Sequence, residues 1–429
     1  MPSRRDYLRG VASAGFVGLA GCFDEEPVSG HWPRAGYDDR NTSDVTDIDG
    51  PGATLSRVWQ ANVPQGMNHA SPVLADGRLY IGYETAPNGE SPRRVGLRAL
   101  DGSTGEIVHD ITVTTHSADS AEMLFLDSVI VADDSVSLLA FDGIHSYARD
   151  GEERWHAPVD GAPNTTQIRA GYPVAADGIM YAPTASVTET TDATEGLLAI
   201  DAASGTIQWR YDVPDTPAFG WTFSAALADG LLYVSMLDEG VVALNPETGG
   251  VEWRTELPVE GPPTVAAGRL FVPGEVTGEN GGTFIVALDA TTGEEVWGRT
   301  DESEWLGREI ATAGGRLYCR ERLDTLVSRD VATGEERWRF TDADAVSLGR
   351  PVVTKDALYV GIAHRDGQAG VVALDPETGS HLGFTGLGRN AGQRARLAAS
   401  DDRLFVNTAR GQVHALESCS VDVGGRCLY

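Results

Sequence analysis

Lysine is nearly missing from this chain. Lys355 stands alone among 429 residues, so the other basic side chains are arginines. Acidic residues outnumber basic ones 63 to 33, which gives a formal net charge of −30 and an isoelectric point near 4.5. Such a chain is repelled by nucleic-acid backbones and by anionic membrane surfaces, which argues against nonspecific binding to either. Cysteine is scarce too: Cys22, Cys319, Cys419 and Cys427 are the four, none adjacent to another and none in a Cys-x-x-Cys pair. Without clustered histidines beside them, they make no case for a metal site. No apolar run reaches the roughly 20 residues that span a bilayer. Nucleophile-elbow, phosphate-loop and zinc-protease patterns are absent, so no catalytic machinery can be named from motifs.

What is present begins at the ends. Arg4 and Arg5 precede a short apolar stretch from Val11 to Gly21, the order of a twin-arginine export signal. The stretch closes in Leu19-Ala20-Gly21-Cys22, which resembles a lipobox cut before a cysteine that then carries lipid. Residues 1–21 therefore read as a leader, Cys22 as the lipidation site, and the expected location is the outer face of the cytoplasmic membrane. Residues 22–55, with little apolar periodicity and the acidic stretch Asp44 to Gly50, read as a polar tether. At the other end, residues 418–429 form a tail in which Cys419 and Cys427 flank two glycines, a spacing suited to a small disulfide-closed loop. Cys319, after Leu317 and Tyr318, reads as a small buried apolar residue. The acid-rich, lysine-poor composition resembles that of proteins from salt-in halophiles, where molar salt screens the repulsion among carboxylates.

Between the ends, one phrase recurs: Ala-x-Asp, a short turn, then Thr-Gly or Ser-Gly. Copies run from Ala99 to Gly105, Ala199 to Gly205, Ala243 to Gly249, Ala287 to Gly293 and Ala373 to Gly379, with weaker ones ending at Gly334 and Gly151. Four residues after each glycine comes a slot, filled by Trp155, Trp209, Trp253, Trp297 and Trp338, and by His109 and Gly383 where the rule lapses. Trp59 stands alone before the first copy. The slots recur about every 45 residues, the length of one four-stranded propeller blade. Upstream of each phrase lie two short apolar runs joined by an Asp-Gly-type turn, as in Pro72 to Tyr80 and Pro173 to Tyr181, which are strand–turn–strand signals. The last unit supplies three strands from Leu397 to Leu416 and lacks a slot. Ser56 to Ala61, carrying Trp59, supplies the missing strand. The expected fold is all-β: an eight-bladed propeller over residues 56–417, each blade four antiparallel strands, closed by pairing of the N- and C-terminal strands. In the phrase, the Asp side chain caps a tight turn and the glycine takes a positive φ. The alanine leaves room for a neighbouring blade's ring, and the tryptophans act as inter-blade mortar.

Ala-x-Asp-x-x-Thr-Gly-x-x-x-Trp resembles the tryptophan-docking motif of the pyrroloquinoline-quinone (PQQ) repeat propellers, and the likeness runs from Trp59 to Leu416. His31-Trp32-Pro33-Arg34 is similar to the lead-in of such domains. That family includes quinoprotein dehydrogenases, the bacterial outer-membrane assembly propeller and exported lipoproteins of haloarchaeal type. The resemblance implies two function classes: a protein-binding scaffold or ligand-binding module outside the cytoplasm, and, as the alternative, a PQQ-dependent dehydrogenase with Ca²⁺. The dehydrogenases resemble one another in a vicinal cysteine pair and a carboxylate set for Ca²⁺. This chain has neither in its sequence, and its units are close to minimal length, so the expectation is a scaffold without cofactor or catalytic residues. The segments that enter the innermost strands carry Arg169, Arg308, Arg350, Arg394 and Arg396, with His69 and Trp221 in related places. Innermost strands line a propeller's channel, so these guanidiniums form a candidate anion clamp at its mouth. The alternative is pairing with local carboxylates such as Glu260 and Glu309.

Overall fold

The computed structural model describes residues 28–64, 70–85, 93–116, 129–140, 142–158, 171–184, 196–212, 224–236, 240–259, 261–276, 282–301, 310–389, 395–408, 411–419, 421–422 and 427–428. These residues hold strands and turns and no helix. Eight four-stranded antiparallel blades form a propeller ring. Blade 1 consists of Val73–Ala75, Arg78–Thr85, Arg93–Asp101 and Ile107–His116, from the inside outward. The later blades repeat that order, and their inner strands are Val129–Ala132, Val174–Ala176, Ser224–Ala228, Thr264–Ala266, Ile310–Ala313, Val352–Thr354 and Arg396–Ala399.

Local chemistry explains why each unit folds this way. The inner hairpins turn through two successive positive φ values, as at Asp76 (51°) and Gly77 (71°), the twist that lets a two-residue loop continue a right-handed ribbon. In the outer turn, the Asp101 carboxylate accepts the amides of Ser103 and Thr104, both at 2.9 Å, and Gly105 follows at φ 75°. The same bonds recur at Asp201, Asn245, Asp289, Asp330 and Asp375.

The ring closes at blade 8, where Leu55–Asn62 pairs antiparallel with Gln412–Ser418 and Trp59 lies opposite Ala415. This joint covers the C-terminal strand with the N-terminal one, which becomes the outer strand of that blade. Each of the six tryptophans Trp59, Trp155, Trp209, Trp253, Trp297 and Trp338 bridges a seam. Its indole N–H donates to the carbonyl of the residue that follows the turn aspartate or asparagine of the next blade: Trp59 to Gly102 (3.0 Å), Trp155 to Ala202 (3.0 Å), Trp209 to Pro246 (2.9 Å), Trp253 to Ala290 (3.2 Å), Trp297 to Val331 (3.1 Å) and Trp338 to Pro376 (3.0 Å). The ring lies flat on the turn glycine. A Cβ on Gly205, for instance, would sit 2.6 Å from Trp155. The motif's alanine has a different place from the one its spacing suggests: Ala199, Ala243 and Ala287 face the tryptophan of their own blade across the sheet. It is the glycine of the neighbouring blade that makes room for the indole.

The largest departure from the sequence reading is the supposed tether. Residues 28–54 are folded into the disc, with Trp32, Arg34, Asn41 and Val45 buried and Asp44–Val45 paired parallel to Val352–Thr354. Polarity in this segment reflects its bonds to the blades. At the C-terminus, Cys419 is disulfide-bonded, and Val421–Asp422 pairs with Cys427–Leu428 as a short ribbon. Cys319 is a free, fully buried thiol whose pKa burial pushes up to about 12. The leader, with Arg4, Arg5 and Cys22, lies outside the described residues.

Candidate functional site

The channel of a propeller is lined by inner strands, and each presents an edge with amides that no neighbouring strand takes up. Here residues 29–48 run around that edge as a strap. The Ser29 hydroxyl donates to Asp401 of blade 8 at 2.8 Å. Trp32 then exchanges both backbone bonds with Leu74 of blade 1, and the amide of Val131 in blade 2 donates to the Pro33 carbonyl. In blade 3, the Ala175 amide donates to the Asp39 carboxylate. Blades 4 to 7 follow in order: Leu227 to the Asp39 carbonyl, Val265 to Arg40, Thr312 to Thr42 and Val353 to Ser43, all between 2.7 and 3.0 Å. Leu74, Val131, Ala175, Leu227, Val265, Thr312 and Val353 are each the next-to-last residue of their inner strand. One equivalent amide in each of blades 1 to 7 is therefore taken in turn as the strap goes round, and blade 8 is held through Asp401.

Threading a ring this way forces the backbone off ordinary paths. Tyr37, Asn41 and Ser43 have φ values of 71°, 59° and 53°, which non-glycine residues hold only when their surroundings fix them. Asn41 shows what fixes it: its side-chain amide donates to Ala225 at 3.0 Å and Pro263 at 2.8 Å. Trp32 anchors the start, fully buried with its ring 5.0 Å from that of Tyr37.

The arginine clamp meets this strap. Arg350 is buried, donates to the carbonyls of Asn41 (2.6 Å) and Ile310 (3.2 Å), and stacks over Tyr172 at 5.6 Å. It therefore ties the strap to blade 6; Glu260 and Glu309, the carboxylates the sequence offered, lie outside the described residues. Arg396 is half-buried and bonded within the fold. Arg169, Arg308 and Arg394, with His69 and Trp221, lie outside the described residues. Arg34, which sequence reasoning noted only as part of the lead-in, is the residue placed beside Arg350. It is buried, its Nη1 donates to the Asp38 carbonyl at 2.6 Å, and burial lowers its pKa to about 10, with Arg350 adding to that effect and Asp39 and Asp38 opposing it. The signal that could have found it is the invasion of a polar segment by Trp32, a residue that a solvated linker has no use for.

On the strap face, blades 3 and 4 leave a cleft of about 890 Å³ lined by Asp39, Arg40, Asp177, Trp209, Asp229 and Glu247, among others. Asp38, Asp39, Asp177, Asp229 and Glu247 give its wall a negative balance, and Arg40 reaches Asp229 at 3.2 Å across an exposed edge. Burial raises the pKa of Asp39. The quinone and Ca²⁺ that the resemblance implies do not fit the strap end of the channel: Trp32, Arg34, Asn41 and main chain fill it, and no carboxylate set converges there among the described residues. Most of the loops that enter the inner strands from the opposite end lie outside the described residues.

A profile of the outer membrane protein assembly factor BamB family matches residues 53–196, 193–297 and 280–382. Among solved structures, the fold is similar to a europium-containing methanol dehydrogenase, with a TM-score of 0.66 at 13% identity over 92% of this chain and 98% of that one. It is similar to the quinohemoprotein alcohol dehydrogenase from Comamonas testosteroni, with a TM-score of 0.65 at 16% identity over 93% of this chain and 82% of that one. BamB from Moraxella catarrhalis gives a TM-score of 0.59 at 16% identity over 86% of this chain and 100% of that one. At these identities the likeness is one of fold. No curated protein matches the sequence.

Proposed function

The chain belongs to the outer membrane protein assembly factor BamB family, and from that membership we propose that it is a protein-binding scaffold held at the outer face of the cytoplasmic membrane. The observation that carries this reading is the strap. A propeller whose channel mouth is laced by its own chain keeps its turn faces for contact. The acidic cleft between blades 3 and 4, with Trp209 and Tyr181 in its wall, suits a partner that presents basic side chains around an apolar centre.

The strap also supports a definite orientation. If Cys22 carries lipid, six residue steps separate it from Val28, which already packs against Gly102 of blade 1. Fully extended, six steps reach about 20 Å. The disc is then held against the membrane with its strap face inward, and the partner is a membrane-associated protein. Replacing Cys22 with Ser should release the chain from membranes, read by fractionation.

Site-specific photocrosslinking from position 247 in the full membrane-anchored chain tests the scaffold reading. A reproducible protein adduct that disappears when Asp177 and Asp229 are changed to Lys supports it. No adduct, or dye-linked alcohol oxidation by the purified protein with PQQ and Ca²⁺, overturns it.

A further inference from the structure

Asp142, His145 and His156 come together on blade 2, away from the strap and the acidic cleft. Asp142 sits in the turn between Ser135–Ala140 and Gly143–Ala148, and His145 lies on the latter strand. His156 belongs to the outer strand Glu153–Pro158 and stands directly opposite His145 in register. Side chains opposed across antiparallel strands project from one face with their Cβ atoms about 5 Å apart. The two imidazoles accordingly stack, centroids 4.0 Å apart and planes within 10°.

Both rings turn the same nitrogen toward Asp142. His145 Nε2 is 3.0 Å from the Asp142 carboxylate, and His156 Nε2 is 3.1 Å from the Asp142 carbonyl oxygen. One donor atom from each of the three side chains falls within 4.8 Å of the others. His145 is buried, whereas Asp142 and His156 are exposed, so the cluster has a fixed floor and an open side. Gly143 makes the cradle: at φ 140°, a Cβ there would lie 2.9 Å from His156 Nε2 and 2.3 Å from the Ala157 carbonyl. The Asp142 carboxylate also accepts a hydrogen bond from Thr114 of the adjoining blade.

We propose that Asp142, His145 and His156 bind a divalent transition-metal ion of the Zn²⁺ class, with a fourth position open to water on the exposed side. Two imidazoles and a carboxylate are the donor set such ions take, whereas Ca²⁺ and Mg²⁺ need six or more oxygens. Zinc bonds of about 2.0–2.2 Å place tetrahedral donors roughly 3.3 Å apart. The Asp142 and His145 donors already stand near that spacing. The exposed His156 ring completes the shell by rotating out of the stack, which gives up its contact with the His145 ring and its bond to the Asp142 carbonyl. The strong negative charge of the chain raises the local cation concentration. The proposal does not depend on the scaffold reading.

The test is calorimetric titration of the untagged chain with ZnCl₂ at pH 7.5 and fixed ionic strength, with MgCl₂ and CaCl₂ in parallel. The expected result is one equivalent of Zn²⁺ bound, with Mg²⁺ and Ca²⁺ silent at the same concentrations. His156→Ala, a change at an exposed side chain that leaves the fold intact, and Asp142→Asn should each weaken binding at least about tenfold. Absence of Zn²⁺ binding, equal binding by Mg²⁺, or unchanged affinity in both variants overturns the proposal.

Discussion

Two seams of the ring invite comparison. Between blades 5 and 6, Trp297 covers Gly334, donates to the Val331 carbonyl and is 7% exposed. Between blades 1 and 2, the equivalent slot holds His109, which covers Gly151, leaves Nε2 without a partner and borders a small cavity of about 10 Å³. The seam between blades 7 and 8 goes further: its slot is Gly383, and main chain at Ala53 lies where the ring would be. A repeated fold thus tolerates loss of its mortar where something else bridges the gap. Ala53 and the strap do so at one seam, and Thr114 bonded to Asp142 does so at the other.

The comparison can be broken or sharpened in order of expected effect. Trp297→Ala should destabilise by about 3–5 kcal/mol, measured by denaturant unfolding in high salt. A loss below about 1 kcal/mol would mean that the indole is not what holds that seam. Asn41→Ala removes two buried bonds to blades 4 and 5 and places a Cβ-only side chain at positive φ, and should cost about 2–3 kcal/mol. If the cost is negligible, the strap merely rests on the ring.

His109→Trp should fill the weak seam and stabilise by about 1 kcal/mol. Destabilisation instead would show a seam shaped around histidine. The smallest effect concerns the closing blade. His414, opposite Gln60 in the joining sheet, is buried with neither ring nitrogen bonded, and burial, helped by Arg57, lowers its pKa to about 4. Because the unfolded chain binds that proton more readily, stability should fall as pH drops from about 6.5 toward 4. His414→Leu should flatten this part of the pH–stability curve. An unchanged slope would place the acid sensitivity elsewhere.

Much of this was legible from residue spacing. Asp-x-x-Thr-Gly folds through bonds between residues two or three apart, so a reader of the chain sees the turn directly. The tryptophan slots recur with the blades, and the orphan strand around Trp59 announces the closure. The strap was illegible because its bonds run from its carbonyls and from Asp39 to amides in distant blades, and a carbonyl carries no residue identity. Arg350 was legible as a channel residue, whereas its acceptor, the Asn41 carbonyl, was not. The histidine pair escaped for a different reason. His145 and His156 oppose each other only because the register shifts between Glu153 and Trp155. Counting back from the turn without that shift would set His145 against Trp155.

The sequence by itself determined the eight-bladed ring, its turns and its closing joint, since each depends on short-range hydrogen bonding repeated at a fixed interval. Tertiary structure alone decided where residues 28–54 go, which partners the channel arginines take, and that an aspartate and two histidines on blade 2 share one corner. Those outcomes depend on backbone groups and strand register, which become definite only once the blades stand beside one another.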